Sequence, residues 1–320
     1  MFENIIVLNL YTLFPVHLLL EKNLLRYLLV DLPVKFQVNL YKKRFFNCPK
    51  ETINWFYKPN QYLYLKSLGN YIYLHYDNYK GDANYSFGKT KNFDNILKQC
   101  IQESLMTLVS SSKLFDSYKS YCNDKVHYYP NAISRELFNK ESKQINKKKT
   151  KTIGFIGQLD STFDTNLMYK ISEKFEDYKI LLIGPVKNKE VEKLIKSKVN
   201  VESTGYVDYG KLPELISKFD VGICPYKDDE FNKYRNPLKI IEYFSYGIPV
   251  VSVDCDIDPK TKDLVSIAYE DVEFISLIEM ELKTNDSLKI NERKMYADRN
   301  CWDNRAKDVL EHIISNKIVY

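Results

Sequence analysis

Long apolar runs are missing from this 320-residue chain, and so is any cysteine pair with metal-knuckle or redox spacing. No window reaches the roughly 20 apolar residues that a bilayer-spanning helix needs. Asn9, Thr12, Pro15 and His17 break up the N-terminal apolar stretch and no basic segment precedes it, so no signal peptide is expected. The six cysteines stand apart at positions 48, 100, 122, 224, 255 and 301. Cys224 and Cys255 fall in expected buried strands and read as small hydrophobes. A reducing cytoplasm is the expected compartment, with the protein soluble or peripheral. There are only four histidines. The excess of one charge sign is also small: the net value of +5 suits an anionic substrate or an anionic membrane surface, but is too small to argue for nucleic acid without a clustered stripe. Tyrosine is abundant, with 26 copies. Together with frequent Lys, Asn and Ile, it reads as compositional bias and says little about function.

The apolar share of 44% supports two cores in a chain of this length. Strands are expected at 4–10, 34–40, 71–75, 105–110 and 125–129, and helices at 16–30, 92–104 and 113–121. Residues 139–151 carry almost no apolar group and read as a linker. Beyond them strands and helices alternate regularly. Strands are expected at 152–157, 178–183, 199–204, 220–225, 249–253 and 264–268, with helices at 164–175, 189–198, 211–219 and 271–282. Such alternation implies right-handed βαβ units and a parallel sheet, whose ligands bind at the carboxyl ends of strands.

The richest stretch runs from Asn236 to Ser252. Pro237 suits a first helical turn, Gly247 suits the position past a helix end, and Val250, Val251 and Val253 suit a buried parallel strand. Lys239 and Glu242, three apart, share one helix face. A cation there would meet a diphosphate, and a carboxylate would accept hydrogen bonds from ribose hydroxyls, with backbone N–H groups of the helix start as further donors. The competing account is an ordinary exposed ion pair, which would contribute only about 0.2–0.5 kcal/mol.

The stretch resembles the signature of GT-B glycosyltransferases. It is most similar to the group 1 branch of teichuronic acid and xanthan glucuronosyl transferases, which reads N-P-x-K-x-x-E-Y-x-x-x-G-x-P-V-V. Asn236, Pro237, Lys239, Glu242, Tyr243, Gly247, Pro249, Val250 and Val251 match. Gly205-Tyr206-Val207-Asp208-Tyr209 with Leu212-Pro213, Asp220 to Tyr226, Tyr129-Pro130-Asn131 with Phe138, and Trp302 with Arg305-Ala306 resemble further segments. The likeness covers about residues 70–315 and is weak over the first 65.

The resemblance implies two Rossmann-like parallel-sheet domains facing across a cleft: an acceptor domain at 1–140, a linker at 141–151, and a nucleotide-sugar domain at 152–295, with a C-terminal helix in 296–320 crossing back to the first domain. It also implies Lys239 as the group that stabilises a departing diphosphate. Arg235 assists it, Glu242 takes the ribose, and Gly157, Asn236, Tyr206 and Tyr226 complete the donor site, either tyrosine stacking on the base. Gly157 and Asp164 are expected to frame the donor-side loop. Asp77, after the strand 71–75, stands where the family has its general base, with His75 and Asp82 as rivals. No Asp-x-Asp motif stands in the usual place, so neither a metal nor another cofactor is expected.

Two departures stand out. Tyr234 occupies the place of the first glutamate of retaining group 1 enzymes, which favours inversion. Gln158 follows Gly157 where an Arg and a Lys usually stand. The function expected is transfer of a sugar from a nucleotide diphosphate, UDP foremost, to a hydroxyl of a glycan or lipid-linked glycan in surface polysaccharide assembly. An inactive nucleotide-sugar-binding partner subunit and a UDP-sugar epimerase remain as alternatives. The basic and aromatic stretch Tyr41 to Phe46 is expected to touch an anionic membrane.

Overall fold

The structure, a computed structural model, describes residues 27–45, 53–82, 85–122, 124–138, 150–284 and 286–315. The expected strand at 4–10 and most of the linker lie outside these residues. The chain divides into two compact units, one built mainly from residues up to 128 and the other from 129–316.

The first unit holds a four-stranded parallel sheet in the order β1-β2-β3-β4. Its strands are β1 (Asn54–Phe56), β2 (Tyr71–His75), β3 (Met106–Val109) and β4 (Val126–Tyr128). Its helices are α1 (Leu32–Phe45), α2 (Pro59–Leu65), α3 (Phe93–Glu103) and α4 (Ser112–Cys122). Tyr71 stacks on Phe56 with ring centroids 4.2 Å apart, and its hydroxyl donates to the Cys100 carbonyl at 2.7 Å. Tyrosine here fills the core while one polar handle is satisfied.

The expected strand at 34–40 is instead part of α1, which continues a π-helical turn at Tyr27–Asp31. Val34, Phe36, Val38 and Leu40 do alternate, but Val30 and Val34 also lie four apart and are buried together beside Val38. That helical spacing wins because it packs the valines on one line.

The second unit holds a six-stranded parallel sheet in the order β10-β9-β8-β5-β6-β7. Its strands are β5 (Thr152–Ile156), β6 (Lys179–Ile183), β7 (Val201–Gly205), β8 (Val221–Cys224), β9 (Val250–Val253) and β10 (Val265–Ala268). The helices are α5 (Thr165–Lys174), α6 (Lys189–Ser197), α7 (Leu212–Ile216), α8 (Leu238–Phe244), α9 (Asp271–Lys283), α10 (Ser287–Arg299) and α11 (Trp302–Ser315). Side chains alternate across the strands, so each face has its own core. Ile153, Phe155, Ile180 and Leu182 join Leu167, Ile171, Phe274 and Ile278 on one face. Ile156, Leu181 and Ile183 join Ile216, Ile240, Tyr243 and Phe244 on the other.

α10 was not distinguished in the sequence, because it has little apolar patterning. What anchors it is Arg293, buried against Glu281 of α9 at 3.6 Å and donating to the Leu264 carbonyl at 3.3 Å. Glu281 also accepts from Ser266 at 2.7 Å, so neither charge is left alone in the interior.

Strand β5 is central. The chain steps outward from it to β6 and β7 on one side, and β8, β9 and β10 lie on the other. The topological switch therefore falls between β5 and β8, and a ligand crevice is expected beyond their carboxyl ends.

Candidate functional site

Gly157 follows β5 at that switch point, with φ +139°, a region that L side chains rarely adopt. Its N–H donates to the Ile183 carbonyl at 2.9 Å. A Cβ on Gly184, the equivalent residue after β6, would lie 2.0 Å from the Gly157 carbonyl oxygen, so both strand ends require glycine to sit this close.

The helix that carries the signature is α8. Pro237 is its N-cap, one position before the expected first turn, and Gly247 ends it with φ +72°. Two residues of the signature hold this helix in place. The Tyr243 hydroxyl accepts the Ile156 N–H at 2.9 Å, and its ring occupies the space beside Gly222, where a Cβ would come within 2.4 Å of it. The Asn236 amide donates to the Asp256 carbonyl at 3.1 Å, and Asn131 donates to the Asn236 carbonyl at 3.0 Å. Asn236 thus fixes the loop before α8, where the sequence placed it as a donor contact. The conspicuous Pro-Asn pair at 130–131 braces the same loop.

Lys239 and Glu242 are the motif residues left over. No ion pair joins them, so the exposed-pair account fails. The Lys239 ammonium donates to the Tyr226 hydroxyl. It lies 4.1 Å from the centre of the Phe155 ring and 4.6 Å from that of Tyr226. A Cβ on Gly157 would lie 2.9 Å from Nζ, so the glycine leaves the ammonium its place. Burial pulls the Lys239 pKa down from its ordinary value to about 8, with Cys224 opposing this and Arg235 adding to it.

Arg235 stacks on the same Tyr226 ring at 4.5 Å and on Phe231 at 4.9 Å. Two cations therefore share one ring, and among the described residues neither has a carboxylate partner within ion-pair distance. Glu242 is 6% exposed, and no protein donor reaches its carboxylate among the described residues. Burial pushes its pKa up to about 7, and the nearby Lys239 only partly offsets this. A buried carboxylate without a donor beside two half-buried cations without counter-ions marks this as the candidate ligand site.

The two tyrosines separate. Tyr206, directly after β7, is 76% exposed and its ring is free to stack on a base. Tyr226 is 3% exposed, and Lys239 and Arg235 both lie over its ring. Base stacking by Tyr226, expected from the sequence, is therefore excluded by the contacts its ring already makes. Asp164 is also taken: it caps α5, accepting the Leu167 N–H at 3.0 Å.

Sequence reasoning missed Lys187. It stands thirty residues after Gly157, yet its ammonium donates to Gln158 at 2.9 Å, so a lysine does reach the tip of β5. Tyr246 was missed as well. It lies one turn after Glu242 on the chain, and its buried hydroxyl has no partner among the described residues. Cys224 and Cys255 are buried, with thiols pushed up to about 12 and about 11, mainly by burial. Both are packing groups, although only Cys224 lies in a strand; Cys255 falls in the bend after β9.

In the first unit, Asp77 follows β2 and is half-buried, its carboxylate accepting the Asn78 N–H at 2.9 Å. His75 is 1% exposed between the hydroxyls of Tyr73, at 2.6 Å, and Tyr118, at 3.3 Å. Burial lowers its pKa to about 3. It is a core histidine, which removes it as a rival base.

Residues 150–274 match the family described as Glycosyl transferases group 1. The chain is 26% identical over 202 residues to TuaH of Bacillus subtilis (strain 168), assigned to teichuronic acid biosynthesis as a glycosyltransferase; the match covers 59% of this chain and 51% of that protein. It is 24% identical over 319 residues to a chitobiosyldiphosphodolichol beta-mannosyltransferase of Candida albicans, covering 90% of this chain and 66% of the relative. The chain thus spans about half and about two thirds of the lengths of these relatives. Among solved structures, HepE of Anabaena with UDP and glucose aligns with a TM-score of 0.66 at 12% identity, over 91% of this chain and 83% of that one. Sucrose-phosphate synthase of Thermosynechococcus elongatus aligns with a TM-score of 0.70 at 13% identity, over 96% and 81%. These neighbours share the GT-B fold.

Proposed function

Taking residues 150–274 as a group 1 glycosyltransferase domain on a GT-B fold, we propose that the chain transfers a sugar from a UDP-sugar to a hydroxyl of a glycan or lipid-linked glycan. The observation that carries this is the set formed by Lys239, Arg235 and Glu242. Two cations without counter-ions suit a diphosphate, and a buried carboxylate without a donor suits a pair of ribose hydroxyls. UDP is the nucleotide in the HepE structure. A glycan or lipid-linked glycan acceptor is supported by the names of the two relatives, a teichuronic acid biosynthesis glycosyltransferase and a chitobiosyldiphosphodolichol beta-mannosyltransferase.

In the reaction the acceptor oxygen attacks the anomeric carbon. The bond from that carbon to the diphosphate oxygen breaks, and its electron pair leaves with UDP. Lys239 and Arg235 stabilise the charge that grows on the diphosphate. Asp77 takes the acceptor proton as general base, in keeping with inversion. Tyr206 stacks on the uracil. Fixed cations carry the leaving-group charge, so the reaction is expected to proceed in the presence of EDTA.

The reading is tested by titrating UDP into wild type and Lys239→Ala without metal. Loss of a hydrogen-bonded charge contact should weaken binding roughly 10- to 100-fold. Equal affinity would remove Lys239 from the site.

Peripheral contact with an anionic membrane belongs to the same proposal. It is supported by Leu28, Leu32, Phe36 and Leu40, which lie four apart and are all exposed, Phe36 by 70%. The α1 sequence has no acidic residue and carries Lys35, Lys42, Lys43 and Arg44. An apolar stripe among cations fits an anionic bilayer surface. No helix among the described residues is long and apolar enough to cross a membrane.

A further inference from the structure

We infer that Tyr226 is a positioning residue for Lys239, holding its ammonium at the tip of β5 where the donor diphosphate is received. This rests on the reading of Lys239 given above and adds to it a reason why the lysine is in place before any ligand arrives.

A lysine side chain has four rotatable bonds, and an unpaired one wanders. The Lys239 ammonium has no carboxylate partner, yet it is fixed on three sides. The Tyr226 hydroxyl accepts its hydrogen bond, the Phe155 ring lies beneath it at 4.1 Å, and Gly157 leaves it just enough space. The neutral ring and hydroxyl hold the ammonium without neutralising it. A carboxylate in the same place would hold it as firmly, but would repel the incoming diphosphate.

Tyr226 can do this because it is itself locked. It is buried after β8, and its neighbour Pro225 accepts the Asp164 N–H at 2.9 Å. Lys227 donates to the Thr162 carbonyl at 3.0 Å, and Phe163 pairs with Tyr226 across the two loops. Phe155 is held by β5. The lysine is therefore located by two strand ends, and Arg235 on the same Tyr226 ring is located with it.

The test is UDP binding by calorimetry, from pH 6 to pH 9.5, on wild type, Tyr226→Phe, Phe155→Leu and Lys239→Ala. Tyr226→Phe keeps the ring and removes only the hydroxyl. Losing an acceptor of a charged donor should weaken binding roughly tenfold. The same loss disfavours the ammonium, so the pH above which affinity falls should drop by about one unit. Phe155→Leu should move that pH in the same direction, through loss of a cation–π contact. The groups facing Lys239 include Arg235, Glu242, Cys224 and Cys255 besides Tyr226. Because Glu242 also titrates in this range, the shift is read in a Glu242→Gln background too, where it should persist.

A merely structural Tyr226 would lower affinity without moving the pH limb, and that outcome overturns the inference. So does wild-type binding by Tyr226→Phe while Lys239→Ala is weakened. If Lys239→Ala itself binds UDP as wild type does, the underlying reading of Lys239 fails instead, and the two failures are distinguishable. Should Tyr226→Phe not fold, the Phe155→Leu profile decides: an unmoved limb there overturns the aromatic seat.

Discussion

Glu242 shows what the site costs. A carboxylate with 6% exposure and no donor is held against desolvation, so its folded pKa of about 7 lies above its ordinary value of 4.5. The folded protein then binds the more protons between those two values, and stability falls as pH rises through that window. Lys239, lowered by burial to about 8 from 10.5, works the other way: its penalty is complete below about 8 and is relieved as pH rises from there towards 10.5. Both penalties coexist between about pH 7 and 8. Glu242→Gln removes one of them, so it should raise the melting temperature by a few degrees at pH 8 and hardly at all at pH 5, where the native carboxyl is already protonated. The same variant should bind UDP less tightly, since an amide accepts ribose hydroxyls more weakly than a carboxylate. Thermal melts at the two pH values, paired with a UDP titration, check both halves; an equal shift at both pH values would mean that burial is not what raises this group.

Elements show how much of the molecule could be read beforehand. β2 was placed at its observed bounds, and every strand of the second unit was placed to within two residues or so, because buried parallel strands bounded by glycine and proline have few competing readings. α1 failed for a definite reason. Its apolar residues alternate by two, yet they also recur by four along two lines: Val30, Val34 and Val38 facing in, and Leu28, Leu32, Phe36 and Leu40 facing out. A helix apolar on opposite sides carries a strand's period, and only tertiary packing decides between them. β1, with three residues, gave too short a pattern to see. At the site, Lys239 and Glu242 were legible because their spacing is local, whereas the Tyr226 contact and the arrival of Lys187 at Gln158 depend on how distant loops meet. The outward line of α1 makes its own prediction. Leu32→Ser with Phe36→Ser should lower the partition constant onto vesicles of 30% anionic phosphatidylglycerol, read by sedimentation, by roughly 30-fold or more (about 1–2 kcal/mol for each of the two large apolar side chains withdrawn) and leave UDP affinity unchanged. Equal sedimentation of variant and wild type, or none by either, would remove α1 as the contact.

At the scale of the whole molecule, the groups assigned to the donor and the group assigned to the acceptor belong to different compact units. Lys239, Arg235, Glu242 and Tyr206 are all in the second, and Asp77 is in the first. This division separates binding from chemistry in a way that a single substitution can probe. Asp77→Asn preserves the shape of a turn former, and its carbonyl can still accept the Asn78 N–H. It should therefore leave the UDP dissociation constant within about twofold of wild type while transfer falls by roughly 10²–10⁴, the usual contribution of a positioned base. Retained transfer would move the role to another group of the first unit, with Asp82 of the same loop next in line. The comparison also separates an enzyme from a nucleotide-binding subunit. Tyr234, in the turn at Asn232–Tyr234, stands where the resemblance puts a glutamate of retaining enzymes. A chain that had lost its chemistry along with that carboxylate would bind UDP through Lys239 and show no turnover for Asp77→Asn to abolish. Wild-type transfer to a glycan acceptor in EDTA, lost in Asp77→Asn with UDP affinity intact, is the result expected of a metal-independent transferase whose base and leaving-group cations are carried by separate units.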